Sequence, residues 1–193
     1  MMSRLTYDGI VKIHHRHQQW LIRGQSGVRA VFKNVLIYGL DLSNFAFDRA
    51  QFFNCRIQNC RMPKSLIQAE FHSVELIGLD CSDCGLTESH FQHCAIFSVD
   101  FKCATLTDVK FDSVRFQNCN FNQVSLRQCP LKVFHSGSWV AYIGPEYTSI
   151  GCQWYPNEAW RNFTDDEIDA MASYALDYWQ TNKDIIFMLM DSF

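Results

Sequence analysis

The sequence predicts a repeat solenoid with a helical cap at each end, and three observations support this prediction. Large apolar residues recur at every fifth position through the middle of the chain, and small residues precede most of them by two positions. The segments on both sides of this repeat have helical spacing instead. A period of five fits neither a helix, which repeats its buried face near 3.6 residues, nor an isolated strand, which repeats near 2. A fixed internal period of this kind is typical of repeat architectures.

The repeat begins near Ala30 and ends near Leu131, and its spacing is constant except for one step of four residues. We place this short step between Ile67 and Phe71. The large positions are Phe32, Ile37, Leu42, Phe47, Phe52, Ile57, Met62, Ile67, Phe71, Leu76, Cys81, Leu86, Phe91, Ile96, Phe101, Leu106, Phe111, Phe116, Phe121, Leu126 and Leu131.

This pattern resembles the pentapeptide-repeat family, whose unit is roughly a small residue, Asp or Asn, Leu or Phe, and two polar residues. The family's Asp/Asn position is kept at Asp41, Asp80, Asp100 and Asn120. The resemblance implies an all-β fold with helical caps, in which the repeat forms a right-handed quadrilateral β-helix of about five coils. Each five-residue unit would form one side and four units one coil, so that large residues one coil apart stack along the axis.

The flanks have the features of caps, which a solenoid needs because its terminal coils leave backbone groups unpaired. We expect an N-terminal helical cap over residues 1–28, the β-helix over 29–134, and a C-terminal loop and helical cap over 135–193. Gly24 is a candidate stop for the first helix. Near-helical spacing of Ile10, Ile13, His17, Trp20 and Leu21 predicts a short amphipathic helix lying on the first coil.

Beyond Leu131 the five-residue period ends. Residues 135–156 are rich in turn formers and aromatic residues, which predicts a loop or a short hairpin. Thr164 and Glu167 have the spacing of a capping box and predict a helix start. The apolar face of this helix would comprise Ile168, Met171, Ala172, Ala175 and Trp179. The final apolar run, IIFMLM, either prolongs this helix or packs beside the β-helix.

The flanks are also similar to those of small pentapeptide-repeat proteins encoded by bacteriophages or prophages. An opening element is matched at Arg16–His17, Trp20–Leu21, Gly27 and Ala30–Phe32, and a closing element at Ile150–Cys152 and Trp160. This resemblance implies a phage origin and a bacterial host cell as the place of action.

The composition is that of a folded domain, with 48% hydrophobic and 19% charged residues among 193, which excludes a disordered chain. The net charge of −3 is unevenly placed, because the repeat is nearly neutral and the C-terminal region is acidic. No Lys/Arg-rich tract predicts direct nucleic-acid binding. No secretory leader pattern and no apolar run long enough for a bilayer are present, so we expect a cytoplasmic protein with no membrane partner.

We find no pattern that predicts catalytic, cofactor-binding or metal-binding residues, and therefore expect no enzyme. The sequence lacks a glycine-rich phosphate loop, GxSxG and HExxH. The nine cysteines mostly occupy the small repeat position and are interpreted as buried hydrophobic residues. Cys81 and Cys84 form a lone CxxC, which leaves a metal or redox site open as the alternative. The histidines His14, His15 and His17 are expected at the surface.

Two surface features remain as candidates for partner binding. Four apolar residues flank inward positions on one side of the coil and should point outward, namely Leu36, Tyr38, Ile77 and Phe97. Such an apolar stripe is typical of a contact surface, although the C-terminal segment of the chain could cover it instead. A second side carries an acidic group formed by Asp41, Asp80, Asp83 and Asp100.

These features lead to three functional hypotheses. The first is a non-enzymatic protein-binding module that binds and inhibits or modulates a bacterial host protein. The family resemblance implies a DNA-handling target such as gyrase or a defence enzyme, reached by mimicry of DNA charge. The second is a structural scaffold that forms a homodimer through the stripe. The third is an enzyme, which would need a pocket with convergent polar groups around Trp139–Trp160.

Overall fold

The computed structural model describes residues 2–23, 27–137 and 139–193. The chain divides into two compact units. The first, called here the solenoid unit, extends to Val114 and includes Cys119–Cys129, and the second, the C-terminal unit, comprises Arg115–Asn118 and Pro130–Phe193. The N-terminal helix belongs to the solenoid unit.

The solenoid unit begins with a short strand and a helix, followed by paired three- or four-residue strands. In chain order these are β1 (Ser3–Arg4), α1 (Tyr7–Arg23), β2 (Val31–Lys33), β3 (Val35–Tyr38), β4 (Gln51–Phe53), β5 (Arg56–Gln58), β6 (Glu70–His72), β7 (Glu75–Ile77), β8 (His90–Gln92), β9 (Ala95–Phe97) and β10 (Lys110–Asp112).

These strands form two parallel sheets, one on each of two neighbouring sides of the coil. The first sheet has the order β10-β8-β6-β4-β2, and the second contains β1-β3-β5-β7-β9. Two further parallel ladders of single bridges make the remaining two sides. One ladder links Asp41, Arg61, Asp80, Asp100 and Asn120, and the other links Ala46, Ser65, Gly85, Thr105 and Ser125. The quadrilateral β-helix predicted from the repeat is therefore confirmed, and the five strands of the first sheet enclose four full turns.

The core of this unit is a set of stacked like residues. Phe32, Phe52, Phe71 and Phe91 are opposite one another in register. Their ring centroids are 4.6, 4.7 and 4.5 Å apart and successive planes differ by 7°, 3° and 2°. Because each ring is almost completely buried, each contributes about 2–3 kcal/mol of burial free energy. The column follows directly from a repeat whose strands are in register.

The position of the short step differs from the prediction. Leu66 is 1% exposed and Ile67 is 39% exposed, so Leu66 is the inward residue of its coil. Ser65, immediately before it, pairs with Ala46 and Gly85, which precede the inward residues Phe47 and Leu86. The four-residue step therefore lies between Met62 and Leu66, and the assignment of Ile67 to the core is wrong. Because Leu66 and Ile67 are adjacent and both apolar, the five-residue period alone allows either one to be the inward residue.

Helix α1 covers the start of the solenoid unit, as the helical spacing predicted. Ile10 is fully buried on it. Gly24, the expected stop, lies outside the described residues. Gly27 has φ of +102°, and a Cβ there would lie 2.4 Å from the Arg16 carbonyl oxygen, so this close approach to the helix requires glycine.

Two of the three histidines on α1 are not surface residues, contrary to expectation. His17 is 0% exposed; its Nδ1 accepts from the Ala30 amide at 3.1 Å, and its Nε2 donates to the Asp48 carbonyl at 2.9 Å. The His14 Nε2 accepts from the Ala46 amide at 3.2 Å. These rings satisfy backbone groups that the first coil would otherwise leave open. Burial lowers the pKa of both histidines, which keeps them neutral and able to accept.

The C-terminal unit combines one short strand, an antiparallel meander and three helices. These are β11 (Arg115–Gln117), β12 (Lys132–Ser136), β13 (Trp139–Ile143), β14 (Tyr147–Ile150), β15 (Gln153–Pro156), α2 (Asn157–Asn162), α3 (Asp165–Asp169) and α4 (Ala175–Met190). Strands β12 to β15 pair in sequence order, so the predicted loop or short hairpin is a four-stranded sheet.

The helical tail begins where the sequence predicted but is interrupted. Thr164 and Glu167 form the expected capping box. The single predicted helix is instead α3 and α4, separated by a segment in which Tyr174 has φ of +63°. A left-handed residue cannot continue an α-helix, so the chain turns there. The run IIFMLM prolongs α4, which was the first of the two alternatives.

Candidate binding surfaces

The structure brings together two of the four stripe residues. On the outer face of the second sheet, Tyr38 is opposite Gln58, Gln58 is opposite Ile77, and Ile77 is opposite Phe97. Ile77 and Phe97 are therefore neighbours, both half-buried, while the Gln58 amide separates them from Tyr38. The continuous apolar part of the stripe is this pair.

Leu36 belongs to a different row of the same face. It is opposite Arg4 on one side and Arg56 on the other. The Arg4 guanidinium lies 5.4 Å from the ring centroid of Tyr38, and Arg56 pairs with Glu75 at 2.5 Å. The face therefore has the apolar pair Ile77 and Phe97 next to a row of charged groups that already interact with neighbouring side chains.

Three of the four acidic candidates hold local turns. Oδ1 of Asp41, Asp80 and Asp100 accepts from the amide two residues later, at 2.9, 3.0 and 2.9 Å. Side-chain hydrogen bonds from Ser43 and Ser82 lower the pKa of Asp41 and Asp80, respectively. This contact is the reason for Asp or Asn at that repeat position, because a short side-chain acceptor satisfies the turn amide.

The acidic group is also partly neutralised by neighbouring cations. Arg61 lies between Asp41 and Asp80 in the ladder and is 3.4 Å from the Asp80 carboxylate. Lys64 Nζ lies 3.7 Å from Asp83. Arg61 interrupts the row between Asp41 and Asp80, so the only adjacent acidic residues in this ladder are Asp80 and Asp100.

A polar cluster on the first sheet was not predicted. The Glu70 carboxylate accepts from Arg29 at 2.8 Å and from Gln51 at 2.8 Å, and His72 lies 3.5 Å from it. Gln51 and Glu70 are opposite each other one coil apart, so the coil length could have indicated that contact. Arg29 precedes the first repeat strand, and His72 is on the same strand as Glu70. The cluster joins successive coils.

The burial of the CxxC residues favours a structural role over a redox or metal site. Cys81 and Cys84 are both buried. Burial raises the pKa of Cys81 well above its ordinary value and that of Cys84 to about 12. A thiol that stays protonated is a poor nucleophile and a poor metal ligand. Across residues 2–23, 27–137 and 139–193, no group of three or more His, Cys, Asp or Glu side chains is arranged to hold a metal ion.

The C-terminal unit contains an apolar pocket. From the sequence, only the region around Trp139–Trp160 could be named as its position. Its volume is about 140 Å³. It is lined by the apolar face of the predicted helix and by three tryptophans, together with a few polar residues. The lining residues are Trp139, Ile150, Gly151, Cys152, Gln153, Trp160, Ile168, Met171, Ala172, Ala175, Tyr178 and Trp179.

The polar groups required by the enzyme hypothesis do not converge in this pocket. The lining includes the Gln153 amide, the Cys152 thiol and the Tyr178 hydroxyl, but no carboxylate, imidazole or amine. The Trp160 indole donates to the Thr148 carbonyl at 2.9 Å. Burial raises the pKa of Tyr178 to about 12. Such a lining suits binding and lacks a pair of groups for general acid–base chemistry.

Within the part of the chain that the structure describes, no helix combines the length and apolar character that crossing a bilayer demands.

Comparison with known proteins gives one family match over part of the chain. The family described as "Pentapeptide repeat region" matches residues 64–134, and no curated protein matches the chain.

Among solved structures, a pentapeptide repeat protein from the Arabidopsis thaliana thylakoid lumen is 21% identical, with a TM-score of 0.47 over 59% of this chain and 73% of that one. HetL, a pentapeptide repeat protein involved in heterocyst differentiation regulation in the cyanobacterium Nostoc, is 14% identical, with a TM-score of 0.47 over 49% of this chain and 40% of its own. QnrB1, a plasmid-mediated fluoroquinolone resistance protein, is 19% identical, with a TM-score of 0.38 over 51% and 54%.

The five-residue period and the four-sided coil agree with the family match over residues 64–134, where this chain is similar to pentapeptide-repeat proteins.

Proposed function

We propose that the chain is a non-enzymatic protein-binding module that contacts its partner through the outer face of the second sheet, centred on Ile77 and Phe97. The observation that supports this proposal is the register that sets these two apolar side chains side by side in outward positions. Exposed or half-exposed apolar neighbours are typical of contact surfaces.

The contrast with the ladder that contains Asp80, on the side next to the second sheet, supports the choice of face. There the carboxylates of Asp80 and Asp83 have Arg61 and Lys64 as neighbours, and Asp80 also accepts from its own turn. Mimicry of DNA needs an uncompensated row of negative charge. We therefore assign the contact to the apolar pair and not to the acidic group.

The partner that we propose is a bacterial host protein, bound in the host cytoplasm by a phage-derived chain. The sequence similarity of the two flanks to phage-encoded proteins supports this origin. Inhibition or modulation of the partner, including a DNA-handling one such as gyrase, follows from the resemblance to the family. A homodimer formed by the same face is the alternative.

The test compares two double variants of the whole chain. Ile77→Asp with Phe97→Asp places charge on the proposed face, and Thr87→Asp with Thr107→Asp does the same at half-buried positions one coil apart on another side. Each tagged protein is incubated with bacterial lysate, and its melting temperature and solution mass are measured in parallel.

We expect a protein that the native chain and the threonine control capture and that the face variant loses at an unchanged melting temperature. A native mass of two chains that becomes one chain in the face variant would establish the homodimer instead. Equal capture by all three chains would overturn the proposed face. If the aspartates unfold the chain, Ile77→Thr with Phe97→Thr repeats the comparison with residues that favour strands.

A further inference from the structure

Two imidazoles hold helix α1 on the first coil through contacts that depend on their protonation state. The His17 Nδ1 accepts from the Ala30 amide at 3.1 Å, and the His14 Nε2 accepts from the Ala46 amide at 3.2 Å. A neutral imidazole has one nitrogen that accepts, whereas a protonated imidazole donates from both nitrogens. Protonation would therefore set a donor against each amide, and both contacts would become unfavourable.

The same two rings are packed against aromatic side chains of the first coil. His14 meets Phe45 and Phe47 nearly edge on, with ring centroids 5.0 and 5.5 Å apart, and His17 stacks on Phe47 at 5.8 Å. Because His17 is 0% exposed, water does not reach its ring while α1 is docked. An imidazolium at this position would lack both its acceptor contact and its hydration, which is strongly unfavourable for a buried charge.

The charged groups around these rings do not offset that cost. Burial is the largest effect and lowers the pKa of His17; the carbonyl and the carboxylate of Asp48 raise it, and His14 and Arg29 lower it further. The Asp48 carboxylate already accepts two hydrogen bonds within the solenoid unit. Burial, and then the charge of His15, lower the pKa of His14. Docking of α1 therefore weakens as the pH falls below 6.5, the ordinary pKa of histidine.

We propose that helix α1 is an acid-released cap, which detaches from the first coil at mildly acidic pH while the later coils stay folded. A terminal element of a solenoid contacts its neighbouring coil and can open without the rest. Of the described residues, those of the repeat that hydrogen-bond to α1 side chains lie between Ala30 and Asp48, in the first coil. Release would expose the Phe47 ring and two backbone amides. The proposed partner face is centred on later coils and is not part of this cap.

The experiment measures amide hydrogen exchange of the whole native chain by NMR at pH 7 and at pH 5. Rates are expressed as protection factors, which correct for the intrinsic effect of pH on exchange. The amides of Ala30 and Ala46 report on the cap. The amides of Ala95 and Thr105, which donate to carbonyls of the preceding coil at 3.0 and 2.9 Å, report on the later coils. We expect protection to fall about tenfold at the cap reporters and less than about twofold at the later ones.

Two variants assign the loss of protection to the imidazoles. The double variant His14→Gln with His17→Gln keeps an acceptor and a donor at each position but does not titrate between pH 7 and pH 5. Its protection at Ala30 should therefore change less than about twofold over this range. His15→Gln, at an exposed position on the same helix, is the matched control and should retain most of the native pH dependence.

Three results would overturn the proposal. The first is equal protection of the cap reporters at both pH values, and the second is a parallel loss at the later coils, which would indicate unfolding of the whole unit. The third is a double variant with the full pH dependence of the native chain. If the double variant does not fold, the imidazole carbon shifts of the native chain decide the question. His17 should then titrate with the same midpoint as the loss of protection at Ala30, and separate midpoints refute the proposal.

Discussion

In the solenoid unit, Phe52, Phe71 and Phe91 lie parallel, with centroids 4.7 and 4.5 Å apart. In the C-terminal unit, Trp160 meets Phe163 and Trp179 meets Phe187 nearly edge to face, with planes at 81° and 79°. Both arrangements are favourable for aromatic rings. Translation from coil to coil imposes one geometry on the first core, whereas each contact in the second is separate. The irregular core also contains the pocket lined by Trp139, Trp160 and Trp179.

The largest effect is expected from breaking the regular column. Phe71→Ala removes a ring that is 1% exposed and is stacked on both sides, where the neighbouring coils cannot move independently to fill the gap. We expect a loss of about 3–5 kcal/mol in the free energy of unfolding, measured by denaturant titration. Phe53→Ala, at a half-buried outward ring on the preceding coil, should cost about 1 kcal/mol or less. Equal losses would show that stacking does not distinguish the inner column.

The next largest difference is expected between Leu66 and Ile67, at the four-residue step of the repeat. Leu66→Ala should cost about 2–5 kcal/mol because Leu66 is buried, whereas Ile67→Ala should cost less than about 1 kcal/mol because Ile67 is exposed. The same denaturant titration measures both. The reverse order would restore the register inferred from the period alone and place the step after Ile67.

The smallest effect concerns pH and the α1 histidines. Their pKa values are lowered from 6.5 by burial, so the folded chain binds fewer protons than the unfolded chain once the pH falls below about 6.5. Stability should therefore decrease as the pH falls from 7 toward 5, because protonated His17 no longer accepts from Ala30. Thermal unfolding at several pH values measures this.

Two variants isolate the contribution of His17. His17→Gln offers an acceptor and a donor without titrating in this range, so it should reduce the pH dependence. His15→Gln, at an exposed position, should change it less than His17→Gln does. An unfolding midpoint that rises on acidification, or a His17→Gln variant with the full dependence of the native chain, would contradict this role.

The solenoid could be predicted because every coil buries large apolar side chains at the same positions of its repeat. Phe32, Phe52, Phe71 and Phe91 reveal the column by identity as well as by spacing. Leu66 could have been assigned by the same criterion, since Leu86, Leu106 and Leu126 occupy its column, but period alone does not separate it from Ile67. The roles of His14 and His17 depend on which backbone amides the first coil leaves open, and no local pattern encodes that.

The candidate sites were less predictable. The adjacency of Ile77 and Phe97 and the interruption by Gln58 both follow from the coil length, because each of these residues comes directly after an inward residue of one column. In the C-terminal unit, the helical face ending at Trp179 was recognised by spacing. The turn at Tyr174 and the pocket that this face lines depend on tertiary packing of a non-repeating segment.

The N-terminal segment has a consequence for assembly. A stack of parallel, in-register strands has the hydrogen-bond geometry of a cross-β fibre, in which each layer can template the next. Here β1 occupies the edge of the second sheet through Ser3 and Arg4, while His17 and His14 take the amides of Ala30 and Ala46. These amide donors are already hydrogen-bonded, so they are not available to a strand of a second chain. Because the imidazoles already bond these amides, they disfavour hydrogen bonding of a further strand at this end.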